Sequence, residues 1–227
     1  MANMENKEPN SQESAAASSS ASSKASPDPE RSRWKVHLFA FAVTVLVMWG
    51  LGIFTYVYFY PHFFYKTWET VMVKRGPGFA NSPSSLPVNT LYTMPTLAVP
   101  SQDPLEKGLN RDTLYTIGWL DLSTGPEVLH VPDMADRYYS VQFTDSWGTD
   151  FAYVGRRTTG TQAGDYLISG PGWQGKVPAG VKQIVSPDNT VLLYGRTLVE
   201  SDSDLTTAYG LAKQIQLTPL SRWHPGY

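Results

Sequence analysis

Arg111 and Asp112 are the first pair in this chain whose residue types could hold a ligand. The forked donors of Arg111 suit a carboxylate, and Asp112 can accept from a sugar hydroxyl. They sit in Asn110-Arg111-Asp112-Thr113-Leu114-Tyr115, where polar residues run straight into a strand-like segment. The structural alternative is that Asn110 and Asp112 close a turn while Arg111 pairs with a nearby acid, as side-chain-to-backbone bonds often do at strand starts. A second cluster is Tyr138, Tyr139, Asp145 and Trp147. On a strand, Tyr139, Val141 and Phe143 share one face and Tyr138, Ser140 and Gln142 the other. One face must therefore be core; the other, ending at Asp145 and Trp147, could line a cleft for a sugar or an aromatic ligand. Aromatic residues in sandwiches mostly pack, which is the competing account. Arg156, Arg157 and Arg196 are the cations expected near such a cleft, or else paired with Asp145, Asp150 or Asp165. If the chain is an enzyme, the expectation is action on a carbohydrate or small organic acid, with Asp145 as acid/base and Arg111 as anchor.

The absences narrow the field further. With no cysteine, thiolate catalysis, disulfides and Cys-based zinc sites are excluded. The four histidines, at 37, 62, 130 and 224, make no His-rich metal site, and neither metal nor cofactor is expected. His130, beside Val128 and Leu129, reads as a half-buried packing residue. No Gly-x-Ser-x-Gly elbow is present. Gly170-Pro171-Gly172-Trp173 is a turn and no phosphate loop, because no Gly-Lys-Ser/Thr follows. A net charge of −2 argues against nucleic acid, which is met by a basic stripe.

The elements that must carry these residues follow from composition. Residues 1–33 are rich in Ser, Ala, Glu, Lys and Pro and are expected to form a disordered tail, too polar to offset chain entropy. Residues 36–60 are expected to cross the lipid bilayer as one helix, since no Asp, Glu, Lys or Arg occurs from Val36 to Tyr65 and about 20 residues suffice. Trp34 and the run of Phe and Tyr from 54 to 65 supply aromatic belts. The bulky aromatics after the apolar run do not resemble a cleavage site, so a retained anchor is expected. Lys24, Arg31, Arg33 and Lys35 outnumber Lys66, Lys74 and Arg75, which tilts the N-terminus to the cytoplasm and the remainder to the periplasm or exterior.

Residues 61–84 read as a juxtamembrane linker, in which Thr67–Arg75 can extend the helix until Gly76-Pro77-Gly78 breaks it. Residues 85–227 read as a β-rich domain. Asn89–Tyr92 and Leu97–Val99 are expected as short edge pieces. Strands are expected over 113–122, 127–131, 138–144, 151–156, 165–168, 182–186 and 190–199, separated by Gly, Pro, Asn and Asp. Short spacing without intervening helices predicts an antiparallel sandwich or jelly roll. A closing helix is expected over Asp202–Leu217, capped by Asp202 or Ser203.

Asn110–Tyr115, Arg137–Phe143 with Asp145 and Trp147, Gly170–Trp173 and Gly195–Val199 occur in that order. This series resembles the family known as domain of unknown function 1254 over about residues 85–222. The resemblance implies a jelly-roll-like β fold, commonly in exported proteins. It also implies a neighbouring β domain, domain of unknown function 1214. Since this sequence stops at Tyr227, the expectation is a split pair, with that companion on another chain. The family implies no established activity, which leaves binding and assembly as the leading expectation.

Overall fold

The computed structural model describes residues 29–79, 82–98 and 111–225; Asn110, Val99 and residues 1–28 of the expected tail lie outside the described residues. The chain divides into two compact units, Met1–Phe54 and Thr55–Tyr227. In the first unit the described residues belong to one helix, α1, which runs Pro29–Arg75 and so continues into the second. Large apolar side chains of this first unit are exposed, Phe39 at 71% and Trp49 at 68% among them. By length and composition α1 is apolar enough to cross a membrane, which fits a single-pass anchor and a signal sequence alike.

Among its described residues the second unit contains the end of α1, nine strands and a short helix. The strands are β1 (Tyr92–Thr93), β2 (Thr113–Asp121), β3 (Glu127–Val131), β4 (Tyr139–Thr144), β5 (Asp150–Gly155), β6 (Gly164–Ser169), β7 (Lys182–Val185), β8 (Thr190–Leu198) and β9 (Gln216–Pro219); α2 is Leu205–Ala212. One sheet has the order β1-β2-β8-β4-β5 and the other β7-β6-β3-β9. Their facing sides share one core, with Leu120, Val141, Phe143, Val191 and Leu193 from the first and Leu129, Val131, Tyr166 and Ile168 from the second. This is sheet-on-sheet packing, in which alternate residues of each strand turn inward.

The seven strands expected from the sequence all form, within about a residue of their expected ends. Several features differ from expectation: of the short edge pieces expected at Asn89–Tyr92 and Leu97–Val99, only β1 forms among the described residues. The fold is mixed, because β6 and β7 run parallel. Residues 170–181 between them are long enough for the crossover that a parallel pair requires. The helix expected over Asp202–Leu217 is a 3-10 turn (Asp202–Asp204) followed by α2, and it stops at Ala212. Asp202 and Ser203, the expected caps, lie inside the 3-10 turn, and the residues at the two N-caps, Ser201 and Asp204, make no side-chain cap bond. Gln216–Pro219 instead pairs with β3, from His130↔Gln216 to Glu127↔Pro219. Ile215 continues the helical spacing of Leu211, whereas Ile215 and Leu217, two apart, share one face only on a strand. The free edge of β3 decides the matter, since its backbone groups need partners, and Pro219 is tolerated at the end of an edge strand.

Strand β2 is buried at eight of its nine positions. Such two-sided burial needs a cover on the face turned away from the second sheet. The end of α1 and the segment after it provide the cover: Met72 and Leu86 are buried with Ile117, Trp119 and Leu192, and Tyr65, Trp68 and Phe79 pack against them. The stretch expected as a linker is thus part of the compact second unit. Gly118 serves a close approach on the opposite face, where a Cβ would lie 2.4 Å from the carbonyl oxygen of Thr90.

Candidate functional site

The register of the five-stranded sheet sets the geometry of its outer face. Tyr115, Ile117 and Trp119 of β2 stand opposite Arg196, Tyr194 and Leu192 of β8, which in turn face Ser140, Gln142 and Thr144 of β4. At one end of this face the Trp119 ring meets Tyr65 and Trp68 edge-on, at centroid distances of 6.3 and 6.0 Å. Its indole Nε1–H donates to Met72 Sδ at 3.3 Å. Farther along, the Arg196 guanidinium lies 5.6 Å from the Tyr115 ring and 5.5 Å from the Tyr194 ring. Burial raises the Tyr194 phenol above its ordinary range, with the neighbouring Tyr115 adding to the rise. Next to them Asp150 collects donors from Gln142 Nε2, Thr144 Oγ1 and Tyr153 OH, each at 2.7 Å.

The residues singled out from the sequence are spread over this sheet. Arg111 and Asp112 are exposed just before β2, and the Asp112 carbonyl accepts from Val199 N at 2.8 Å. Tyr138, just before β4, carries the Arg157 guanidinium 5.8 Å from its ring, and its carbonyl accepts from Leu198 N. Both contacts lie at the end of β8 that pairs with Thr113. Asp145 follows Thr144, which is level with Leu192 and Trp119. At about 3.3 Å per residue that places Asp145 roughly 25–30 Å along the sheet from Arg111. A single cleft using Asp145 as acid/base and Arg111 as anchor is therefore not what this register builds.

Asp145 has a structural task. It is 8% exposed, and its Oδ1 accepts from Trp147 N at 2.9 Å and Thr149 N at 2.8 Å, closing the β4–β5 turn. We expect Asp145→Ala to lower unfolding free energy by about 1–2 kcal/mol, read from the denaturant midpoint, because two part-buried hydrogen bonds of the turn lose their acceptor. Trp147, at the tip of that turn, rests on α1 with ring distances of 4.9 Å to His62, 5.5 Å to Tyr58 and 6.0 Å to Phe59.

The ion pairs expected for the arginines are replaced by others. Arg156 pairs with Asp136 at 3.1 Å, Asp165 with His130 Nδ1 at 2.8 Å, and Arg157 and Arg196 lie over tyrosine rings. The most buried pair involves Arg137, marked in the sequence only as the start of the Arg137–Phe143 motif, whose two terminal nitrogens grip the two carboxylate oxygens of Asp204. Arg137 Nη1 also donates to Leu198 O at 2.9 Å, and Asp204 accepts from Glu200 N at 2.9 Å. The fork thus ties the β3–β4 loop to the segment between β8 and α2. The paired guanidinium holds the Asp204 carboxyl below the usual carboxylate range. With side chains only 11% and 16% exposed, Arg137→Ala is expected to cost about 3 kcal/mol in equilibrium unfolding, since it strands a carboxylate.

Sequence reasoning passed over Glu127. The residue is 3% exposed, and its Oε2 is buried without a hydrogen-bond partner. Desolvation pushes the carboxyl up to about 7, with Arg222 pulling weakly the other way. It lines a cleft of about 770 Å³ formed by residues 88–90, the β2–β3 turn and residues 217–222. A glutamate opening a strand after Gly125-Pro126 ordinarily faces solvent. Here β9 and the turn after it close over the residue, and no sequence signal marked that strand. Among the described residues, no group of three His, Cys, Asp or Glu side chains could hold a metal ion.

The fold and these sites can be set beside known proteins. The VPA0106 protein from Vibrio parahaemolyticus has a crystal structure that matches with a TM-score of 0.58 and 29% identity, over 73% of this chain and 37% of that one. This chain thus spans little more than a third of that relative. A putative uncharacterized protein from Burkholderia cenocepacia matches with a TM-score of 0.35 and 13% identity, over 60% of this chain and 36% of that one. No curated protein matches. The profile of the family described as "Protein of unknown function (DUF1254)" matches residues 88–219, which covers both sheets and α2. The chain belongs to the DUF1254 family.

Proposed function

We propose that this chain is a single-pass, membrane-anchored binding domain on the non-cytoplasmic side, and that its β-sandwich docks a companion β domain. The observation that carries the reading is the pair of sheet ends, β1 and β9, which flank one cleft. Each strand ends its own sheet. Residues 89–93 at β1 and 215–217 at β9 line the same cleft of about 450 Å³, with Tyr209 and Lys213 of α2 beside them. The outer side of β9 carries backbone donors and acceptors of the kind that pair with another chain, and clefts such as this one are favoured at domain interfaces. The longer Vibrio relative supports the same reading, since the matched sandwich is a minor part of that chain. Anchoring is supported by the exposed apolar side chains of α1, which water would not tolerate over such a length. The excess of basic residues before the span supports a cytoplasmic N-terminus.

The test is extraction of the full chain from its native membrane in mild detergent, followed by mass spectrometry and molar-mass measurement. A stoichiometric companion with a β domain is expected. A lone chain of monomer mass that sediments with soluble protein would overturn both the docking and the anchor.

A further inference from the structure

The Glu127 cleft shares Asn89, Thr90 and Leu217 with the cleft between β1 and β9 and carries a further inference of its own. Glu127 shares the inward face of β3 with Leu129 and Val131, so its carboxyl stands at the open end of the sandwich interior. Its neighbours across the sheet are Ile168 on β6 and Pro219 on β9, neither of which offers a side-chain donor. A buried carboxyl oxygen without a partner, as Glu127 Oε2 is, costs stability, and the residue lines a cleft of about 770 Å³. Arg222, the only other charged residue among those described in the lining, is exposed on the turn after β9. No ion pair joins it to Glu127 among the described residues. The cleft therefore holds a buried acid and an outlying cation that are not joined in an ion pair, between Val88, Pro126, Leu217 and Leu220.

We propose that this cleft binds a small zwitterion of the amino-acid type, whose ammonium group donates to the Glu127 carboxylate and whose carboxylate meets Arg222. A simple cation would satisfy Glu127 but be repelled by Arg222. A simple anion would satisfy Arg222 and needs Glu127 protonated. A zwitterion answers both charges, and the apolar lining takes its side chain.

The competing anion has the opposite pH dependence, which makes the test sharp. An ammonium ligand needs Glu127 ionised, and its carboxyl titrates at about 7. Affinity should then rise about tenfold from about pH 6 to about pH 8, as the ionised fraction grows.

The experiment uses the full chain in detergent micelles and each of the twenty common amino acids, screened by thermal shift at about 10 mM and followed by calorimetry. At least one is expected to raise the melting temperature, to bind more tightly at the higher pH, and to release protons on binding. Glu127→Gln, folded by circular dichroism, should lose at least tenfold in affinity; Arg222→Gln should weaken the amino acid but spare its amide. The proposal is overturned if no amino acid binds, if binding tightens as pH falls, or if Glu127→Gln leaves affinity unchanged.

Discussion

A fragment beginning at Gly76 should be far less stable than one beginning at Pro61, although both contain β1 to β9. The missing residues include Tyr65, Trp68 and Met72, which cover Trp119, Ile117 and Leu192. Met72 is 1% exposed and Trp119 likewise 1%, so removing the helix end deletes one of the best-buried side chains and opens the other, Trp119, to water. Burying a Met side chain contributes about 2–3 kcal/mol, and each half-covered aromatic adds about 1 kcal/mol or more. The expected loss is about 4–6 kcal/mol, which is most of the stability of an ordinary domain. Urea unfolding of the two fragments, followed by tryptophan fluorescence, measures it. As a control, Met72→Ala in the full chain should reproduce about 2–4 kcal/mol of the loss. Equal midpoints for the two fragments would mean that α1 ends in solvent and contributes nothing to the sheet.

Stability should fall as pH rises from about 4.5 to about 7, and Glu127→Gln should abolish that fall. The sign follows from the carboxyl, which ionises at about 7 in the folded chain against an ordinary value of 4.5. Between those values the unfolded chain has released the proton and the folded chain retains it. The unfolded state then binds fewer protons, and unfolding free energy declines with pH. The full decline, reached above about pH 7, is on the order of 3 kcal/mol. Asp204 acts oppositely: its carboxyl is held low in the folded state, so its contribution is present above the ordinary carboxylate range and vanishes only in stronger acid. Thermal unfolding across this range, with Glu127→Gln and the parent side by side, separates the two. A parent profile that stays level from pH 5 to 8 would show Glu127 to be solvated.

Much of the sandwich was legible because its strands are local events. Apolar runs bounded by Gly-Pro, Pro-Asp and Pro-Asp-Asn punctuate the chain from Thr113 to Val199, and strand position follows from such patterns without tertiary information. The core face of β4 was equally readable, since Tyr139, Val141 and Phe143 alternate with polar residues. The site residues were less so. Asp145 and Trp147 look alike in sequence as candidates for a cleft, yet one closes a turn with two amides and the other lies against α1. Distances between strands depend on register, and register placed Arg111 and Asp145 at opposite ends of one sheet.

By itself, the sequence determined the apolar helix near the N-terminus, the β class of the residues after it, the positions of seven strands and the absence of cysteine chemistry. These rest on composition and short-range periodicity, which every segment carries within itself. Tertiary structure alone decided that Gln216–Pro219 is a strand, that β6 and β7 run parallel, and that the end of α1 covers Trp119. It alone turned Glu127 into a buried acid. Each of these depends on which distant segment supplies the missing partner, and burial and pairing are properties of two segments at once.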